Sequence, residues 1–176
     1  SRHEVVICPP PAFLADIKVS ILGAQDCFWK TKGAFTGQIS PVQLKDLGVK
    51  YCIVGHSERR ALGETNEMIK AKIEILLDNN ITPVLCVGFG TTVDEDELQV
   101  IDTIKIQLDS ALSGVDSSKV VVAYEPVWAI GSGKSATPEH AEKITLFIKT
   151  KYQIGRVLYG GSINAVNAES FLKHNN

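Results

Sequence analysis

The sequence predicts an α/β protein whose parallel β-sheet is covered by helices. Six apolar stretches of strand length alternate with six stretches of helical pattern along the 176 residues, as in folds built from repeated strand–helix units. Residues 120–123 form a continuous run of β-branched and small apolar residues, which is typical of a strand buried on both faces. Polar clusters follow the carboxyl ends of the strands, where α/β proteins place their sites.

The predicted strands and helices follow one another in order. Two helices carry clear start signals, because Ser40 is a suitable N-cap and Thr137 is another, with Pro138 in the first turn. Strands are predicted at residues 4–8, 20–25, 50–54, 82–87, 120–123 and 156–159. Helices are predicted at residues 12–19, 41–47, 67–79, 94–113, 138–152 and 165–173.

Residues 27–40 are predicted to form a long, glycine-punctuated loop after the second strand. The loop carries Phe28, Trp29 and Phe35. Because so much aromatic surface is rarely left in water, we expect this loop to pack against another surface, such as a second chain.

Composition bounds the class of protein. The hydrophobic fraction of 44% and the charged fraction of 22% are ordinary for one soluble domain spanning residues 1–176. A net charge of −2 predicts neither a nucleic-acid partner nor a membrane surface. No apolar run reaches membrane-spanning length. The four cysteines lack C-x-x-C spacing, so we expect reduced thiols in a cytoplasmic protein.

Glu125 follows the predicted strand at residues 120–123, and Pro126 stops that strand. A carboxylate at the end of a buried strand, beside Val127 and Trp128, is a candidate general base. The alternative interpretation is a structural glutamate that pairs with a neighbouring loop.

The stretch after Glu125 has the composition of a hinged lid. Residues 129–136 are small and glycine-rich, with bulky residues before them and a capped helix behind them. Two other motifs overlap this stretch. A phosphate-binding P-loop is excluded because its first glycine would fall at Trp128. A dinucleotide-binding motif is only weakly supported, since no acidic residue stands near Lys151.

Two further strand ends carry candidate site residues. His56 lies between a strand and a helix expected to start at Ser57, and the helix dipole there favours a neutral, hydrogen-bonding imidazole. Gly160, Gly161 and Ser162 follow the last strand and are suited to cradle a phosphate with backbone amides. The alternatives are a structural histidine and a simple turn.

Together these segments resemble the triosephosphate isomerase family, in the family's order and over most of the chain. The combination of motifs is highly specific. The matching segments are Gly-Ala-Gln at 23–25, Gly-Ala-Phe-Thr-Gly at 33–37, Gly-His-Ser-Glu-Arg-Arg at 55–60, Gly-Glu-Thr-Asn-Glu at 63–67, Ala-Tyr-Glu-Pro-Val-Trp-Ala-Ile-Gly at 123–131 and Leu-Tyr-Gly-Gly-Ser at 158–162.

The resemblance implies a (βα)₈ barrel that interconverts dihydroxyacetone phosphate and D-glyceraldehyde 3-phosphate through an enediolate, in glycolysis and gluconeogenesis, with no metal or organic cofactor. It makes Glu125 the base, His56 the group that polarises the carbonyl, and Glu58 a carboxylate near the site. It also implies a phosphate site, a lid and a homodimer interface. The phosphate site is Gly131, Ser162 and Gly161; the lid is Pro126, Val127, Trp128, Ala129, Ile130, Ser132, Gly133 and Lys134; the interface is Thr36, Phe35 and Gly37.

The sequence also departs from the family. About six strand–helix units are present, and we expect the first and last strands of the barrel to be missing, with the phosphate-binding lysine of the family's Asn-x-Lys motif. Phe89 stands where the family has Glu, and residues 153–155 form a tight link, so interior stretches are also expected to be missing. Two alternative functions therefore stay open: an inactive barrel fragment that binds or assembles, and another phosphosugar-binding barrel enzyme.

Overall fold

The computed structural model describes residues 3–129 and 136–173. Its strands, all parallel and hydrogen-bonded in chain order, are β1 (Gly23–Ala24), β2 (Tyr51–Val54), β3 (Thr82–Val87), β4 (Val121–Tyr124) and β5 (Arg156–Tyr159). Its α-helices are α1 (Pro41–Asp46), α2 (Ser57–Ala61), α3 (Asn66–Asp78), α4 (Glu97–Ala111), α5 (Pro138–Tyr152) and α6 (Ala168–Leu172). Short 3-10 helices occur at Pro11–Phe13, Ser117–Lys119 and Val127–Ala129. The predicted α/β class is confirmed.

The core lies between the sheet and α3, α4 and α5. In β4 all four residues are buried, as the β-branched run predicts. The helices face the sheet with apolar residues spaced by three or four, which places those residues on one stripe of each helix. The stripes are Ile69, Ile73 and Leu76 in α3, Val100, Ile104 and Leu108 in α4, and Ala141, Ile144 and Ile148 in α5.

The helix starts follow the predicted signals. Ser40 accepts a hydrogen bond from the amide of Gln43, and Thr137 accepts one from the amide of His140. At the other end of α5, Gln153 adopts the left-handed conformation with φ of 54°, which turns the chain at once into the buried Ile154 and then β5. This turn explains how so short a link can join a long helix to a strand.

The predicted elements before residue 25 are wrong in extent. The strand at residues 4–8 is only a bridge between Ile7 and Leu22, the strand at 20–25 shrinks to β1, and the helix at 12–19 is only the 3-10 turn Pro11–Phe13. Consecutive prolines remove backbone donors here. Val5 and Ile7 are also 65% and 42% exposed, so the described chain offers these residues no core to join.

Two other helices are shorter than predicted. α4 starts at Glu97 instead of residue 94 because Asp96 caps it, accepting from the amide of Gln99. α6 starts at Ala168 instead of residue 165. There the side chain of Asn164 accepts hydrogen bonds from the amides of Val166 and Asn167, which hold the preceding residues in a turn.

One hydrogen bond links strands that lie three places apart in the sheet. Arg156, the first residue of β5, donates to the hydroxyl of Tyr51 in β2 at 3.0 Å, although β3 and β4 lie between them in the sheet. Strands three places apart in a flat sheet would be about 14 Å apart. Arg156 also donates to Glu4 at 3.0 Å. Hydrogen bonds from Tyr51 and then Arg156 lower the pKa of Glu4.

The described residues contain neither a membrane-spanning helix nor a cluster of metal-binding side chains. Within residues 3–129 and 136–173, no helix is long and apolar enough to cross a membrane. In the same ranges, no group of three or more His, Cys, Asp or Glu side chains is arranged to hold a metal ion.

Candidate active site

The candidate site lies at the carboxyl edge of the sheet. The register pairs Val87 of β3 with Tyr124 of β4, and Tyr124 with Tyr159 of β5. Residues directly after these strands therefore become neighbours: the amide of Glu125 donates to the carbonyl of Val87 at 2.7 Å, and that of Gly160 to the carbonyl of Tyr124 at 2.8 Å. Parallel register alone thus brings the predicted clusters together.

Glu125 is only 5% exposed. Its Oε1 lies 3.3 Å from Nε2 of His56. Its Oε2 accepts a hydrogen bond of 3.2 Å from the amide of Ser57, at the start of α2. Both oxygens therefore face polar hydrogens from the segment after β2, which fixes the carboxylate in a water-poor position.

The hydrogen bonds of His56 assign its tautomer. The amide of Glu58 donates to Nδ1 of His56 at 3.2 Å, so Nδ1 carries a lone pair and no proton. In the neutral ring Nε2 then carries the hydrogen and directs it at Glu125. The geometry thus gives a hydrogen-bond donor facing a carboxylate.

Glycines flank Glu125 on both sides. Gly88 has φ of 113°, and a Cβ there would collide with the carbonyl of Glu125. A Cβ on Gly160 would come within 3.0 Å of the Cγ of Glu125. At Gly88 a side chain is therefore excluded, and at Gly160 a side chain would press on Glu125.

Cys86 is a neighbour of the site that sequence reasoning treated only as a buried apolar residue. It is 3% exposed. Burial raises the pKa of its thiol well above the usual value, and the charge of Glu125 and a hydrogen bond to it raise that pKa further. The thiol is therefore protonated.

Arg60 is the second neighbour that the sequence did not reveal. Its Nε donates to the carbonyl of Gly55 at 2.8 Å, and its Nη1 donates to Asn66 at 2.6 Å. Burial lowers the pKa of Arg60, while Glu64, Cys86 and Glu125 oppose that shift. The Nη2 of Arg60 also donates to the carbonyl of Cys86 at 3.4 Å, so the guanidinium joins the ends of β2 and β3.

The remaining predicted catalytic residue, Glu58, lies outside this enclosure. Its side chain is 83% exposed, and its Oε2 is 4.0 Å from Nδ1 of His56. The structure therefore brings Glu125 and His56 together, and places Glu58 on the outer side of the imidazole.

The predicted phosphate residues lie partly at this edge. Gly161 and Ser162 are half-buried and follow Gly160 directly. The carbonyl of Ser162 accepts a hydrogen bond from Asn167 at 3.0 Å, which ties this turn to the residues before α6. Gly131 lies outside the described residues.

The two ends of the predicted lid are held by different contacts. After the site, Val127–Ala129 forms a 3-10 turn, and the ring of Trp128 packs edge-on against His140 at 6.2 Å. At the far end, the amide of Ala136 donates to the hydroxyl of Tyr159 at 3.0 Å. The lid residues Ile130, Ser132, Gly133 and Lys134 lie outside the described residues.

The aromatic loop at residues 27–40 packs partly on itself. The ring of Phe28 lies 4.1 Å from that of Trp29 and 4.5 Å from that of Phe35. Phe28 is buried, whereas Thr36 and Gly37 near the loop tip are exposed. The chain therefore covers the base of this loop and leaves Thr36 and Gly37 at its tip exposed.

The comparisons with known proteins agree with this geometry. The family model described as triosephosphate isomerase matches residues 1–176. A triosephosphate isomerase of Caldanaerobacter subterraneus subsp. tengcongensis is 41% identical over 191 residues, covering 98% of this chain and 77% of the relative.

The chain belongs to the triosephosphate isomerase family.

Two other relatives of that name support the assignment. The protein of Aquifex aeolicus is 42% identical over 189 residues, with 98% of this chain and 76% of the relative covered. That of Debaryomyces hansenii is 43% identical over 189 residues, with 97% and 75% covered. Since each alignment is longer than the 176-residue chain, the relatives carry residues within the matched stretch that this sequence lacks. The predictions of the family, the barrel fold class and an isomerase are confirmed.

Proposed function

We propose that this isomerase interconverts dihydroxyacetone phosphate and D-glyceraldehyde 3-phosphate, with Glu125 as the base. The observation that carries the proposal is the position of Glu125, which is 5% exposed and faces the Nε2–H of His56 at 3.3 Å. A triose phosphate that separates the two groups on binding would meet a carboxylate on one side and a hydrogen-bond donor on the other.

The reaction moves one proton between adjacent carbons and a second proton from the hydroxyl oxygen of one to the carbonyl oxygen of the other. We assign the second transfer to His56, which gives its Nε2 proton to the carbonyl oxygen and takes up the hydroxyl proton. Glu125 removes the proton from the carbon beside the carbonyl and returns it to the neighbouring carbon. His56 donates through Nε2 to the carbonyl oxygen, and the hydrogen bond strengthens as negative charge develops on that oxygen in the enediolate. The carboxylate is regenerated, so no cofactor is consumed.

The tautomer of His56 supports its role. The amide of Glu58 supplies the hydrogen bond to Nδ1, so Nδ1 is the acceptor of the ring and Nε2 is the nitrogen that donates. We place Glu58 in the mechanism through this contact, since its carboxylate is exposed. Glu58→Ala should therefore lower kcat less than tenfold, because alanine keeps the same backbone amide.

The phosphate of the substrate is proposed to bind Gly161 and Ser162, together with Gly131 of the lid. Gly161 and Ser162 directly follow Gly160. Gly160 lies so close to Glu125 that an added Cβ would be 3.0 Å from the Cγ of that residue. Backbone amides after a strand suit phosphate oxygens. The lid is proposed to close over this end of the substrate and exclude water.

We also propose a cytoplasmic homodimer in which residues 27–40 dock into a second subunit. The exposed Thr36 and Gly37 support this, since the base of the loop is already packed by the chain itself. The other functions considered, an inactive fragment and a different phosphosugar enzyme, are favoured by no observation.

Isomerisation in ²H₂O tests the proton-transfer route. Proton transfer through a carboxylate in exchange with solvent should place deuterium on the carbon next to the carbonyl of the product. Product formed at a normal rate without any deuterium at that carbon would exclude Glu125 as an exchanging base.

A further inference from the structure

Two stacked aromatic rings lie beside the phosphate turn, which we define as residues 160–162. They belong to Tyr159, the last residue of β5, and to Phe171 of α6. The ring centroids are 4.6 Å apart, and the ring planes are within 6° of parallel. Stacked rings attract each other beyond the area that they bury. The stack therefore favours one orientation of the Tyr159 ring.

This orientation places Tyr159 directly against the phosphate turn. A Cβ on Gly161 would collide with the phenol ring of Tyr159 and with its hydroxyl oxygen, so the ring lies on the backbone of Gly161. The same hydroxyl accepts a hydrogen bond of 3.0 Å from the amide of Ala136. The ring of Tyr159 is thus held between Ala136, Phe171 and the turn.

The charge of Tyr159 is compatible with a phosphate on this turn. Burial raises the pKa of Tyr159, and the hydrogen bond from the amide of Ala136 opposes that shift. The phenol is therefore protonated at neutral pH. A neutral ring does not repel a phosphate dianion bound to Gly161.

Helix α6 is attached to the phosphate turn through a second side chain. The amide nitrogen Nδ2 of Asn167 donates to the carbonyl of Ser162 at 3.0 Å. Phe171 follows Asn167 by four residues, which places both side chains on one face of the helix. Phe171 is half-buried, whereas the next residue, Leu172, is 57% exposed. The face that carries Asn167 and Phe171 is therefore the one that meets the turn.

We propose that Phe171 is a positioning residue for phosphate binding: its ring stacks on Tyr159 and holds that ring against the backbone of Gly161. Without the stack, the Tyr159 ring can rotate away from the turn. The backbone amides of the turn then lose the support that keeps them aimed at the phosphate oxygens. The inference rests on the proposed phosphate site at Gly161 and Ser162.

Titration with inorganic phosphate tests the role of Phe171. In the parent, phosphate should shift the amide NMR resonances of Gly161 and Ser162. Phe171→Ala should raise the dissociation constant of phosphate and the KM of the triose phosphate about threefold to tenfold, the range that an aromatic pair contributes. The kcat should stay within about twofold of the parent, because the turn binds the phosphate equally before and during the reaction.

Three further variants separate the stack from a general effect on the fold. Phe171→Tyr keeps the ring and should restore both constants to within about twofold of the parent. Phe171→Leu keeps an apolar side chain of similar size, so the fold is preserved even where alanine is not tolerated, and it should still raise the dissociation constant at least about twofold. Leu172→Ala removes an exposed side chain from the same helix and should leave both constants unchanged.

Hydrogen exchange in the free protein gives a readout that does not depend on phosphate. Phe171→Ala should speed exchange of the Ala136 amide at least about threefold, since its acceptor on Tyr159 is no longer held, whereas Leu172→Ala should not. A parent whose Gly161 and Ser162 resonances ignore phosphate would overturn the proposed phosphate site, and with it the role of Phe171, but would leave this exchange effect in place. A responsive parent, with a Phe171→Ala variant that binds phosphate equally tightly, would overturn the role of Phe171 alone.

Discussion

The ammonium of Lys72 lies 2.6 Å from Oδ1 of Asp26, although Lys72 is only 2% exposed. The same ammonium contacts Glu64, whose other oxygen accepts from the amide of Gly55 at 3.2 Å. Asp26 also pairs with Arg59 at 2.9 Å. The network therefore ties the base of the aromatic loop, through Asp26, to α3 and to the end of β2.

Lys72→Met should destabilise the protein strongly. Methionine fills a similar volume but leaves Asp26 and Glu64 without their shared cation, and breaking a buried pair in this way typically costs about 3–5 kcal/mol. Urea unfolding measures the change. Lys105→Met removes an exposed lysine that pairs with Asp102 within α4 and should cost less than about 1 kcal/mol. Equal losses in the two variants would contradict the account of this network.

The same lysine should make stability fall at high pH. Burial lowers the pKa of Lys72, but the hydrogen bonds that its ammonium donates to Asp26 and Glu64 outweigh burial and leave that pKa raised above 10.5. Since the folded pKa exceeds the unfolded one, the contribution is complete below about pH 10.5 and disappears as the pH rises through the folded pKa. The free energy of unfolding should fall more steeply in this range for the parent than for Lys72→Met. Parallel curves would show that Lys72 titrates normally.

Gly160→Ala should impair catalysis through Glu125. The new Cβ would meet the Cγ of Glu125 at 3.0 Å. Since a misplacement of about 1 Å can cost about 10²-fold, a shift of the base by a few tenths of an ångström should lower kcat about threefold to tenfold. Gly155→Ala, at the other end of β5, adds a methyl group where no atom lies within 4 Å. That control should keep the kcat of the parent. An unchanged kcat in Gly160→Ala would show that the base does not depend on this contact.

The register of the parallel strands explains which site residues could be predicted from the sequence. Glu125 and His56 were found because each follows a strand, and parallel strands align their carboxyl ends. Cys86 and Arg60 were not found, since their contacts with the site depend on which side chains turn inward at β3 and α2. No local pattern encodes that choice.

The fold was predicted best where helices and strands face the core. α5 and β5 have the predicted bounds, since Thr137 caps the first and the left-handed Gln153 separates the two. The segment before β1 was predicted worst. Its apolar residues suggested a strand and a helix, but only Leu14 among residues 3–19 is a buried hydrophobic residue. Core packing therefore stabilises neither the strand nor the helix in this segment.

Thr36→Asp should weaken self-association. The exposed tip of the loop at residues 27–40 carries Thr36, and a charge buried without a partner in an interface is costly. Sedimentation of the variant should show a dimer dissociation constant at least about tenfold higher than that of the parent. Thr92→Asp places the same charge on an exposed residue of another loop and serves as the control. If Thr36→Asp has the same dimer dissociation constant as this control, the loop is not part of the interface.

The most direct test of Glu125 as the base is the kcat of Glu125→Gln in the isomerase assay. Glutamine keeps the shape and still accepts from the amide of Ser57, but it cannot take a proton, so kcat should fall by about 10²–10⁴. Glu74→Gln makes the same change on an exposed residue of α3 and should match the parent. A Glu125→Gln protein whose kcat falls less than tenfold would contradict the central claim.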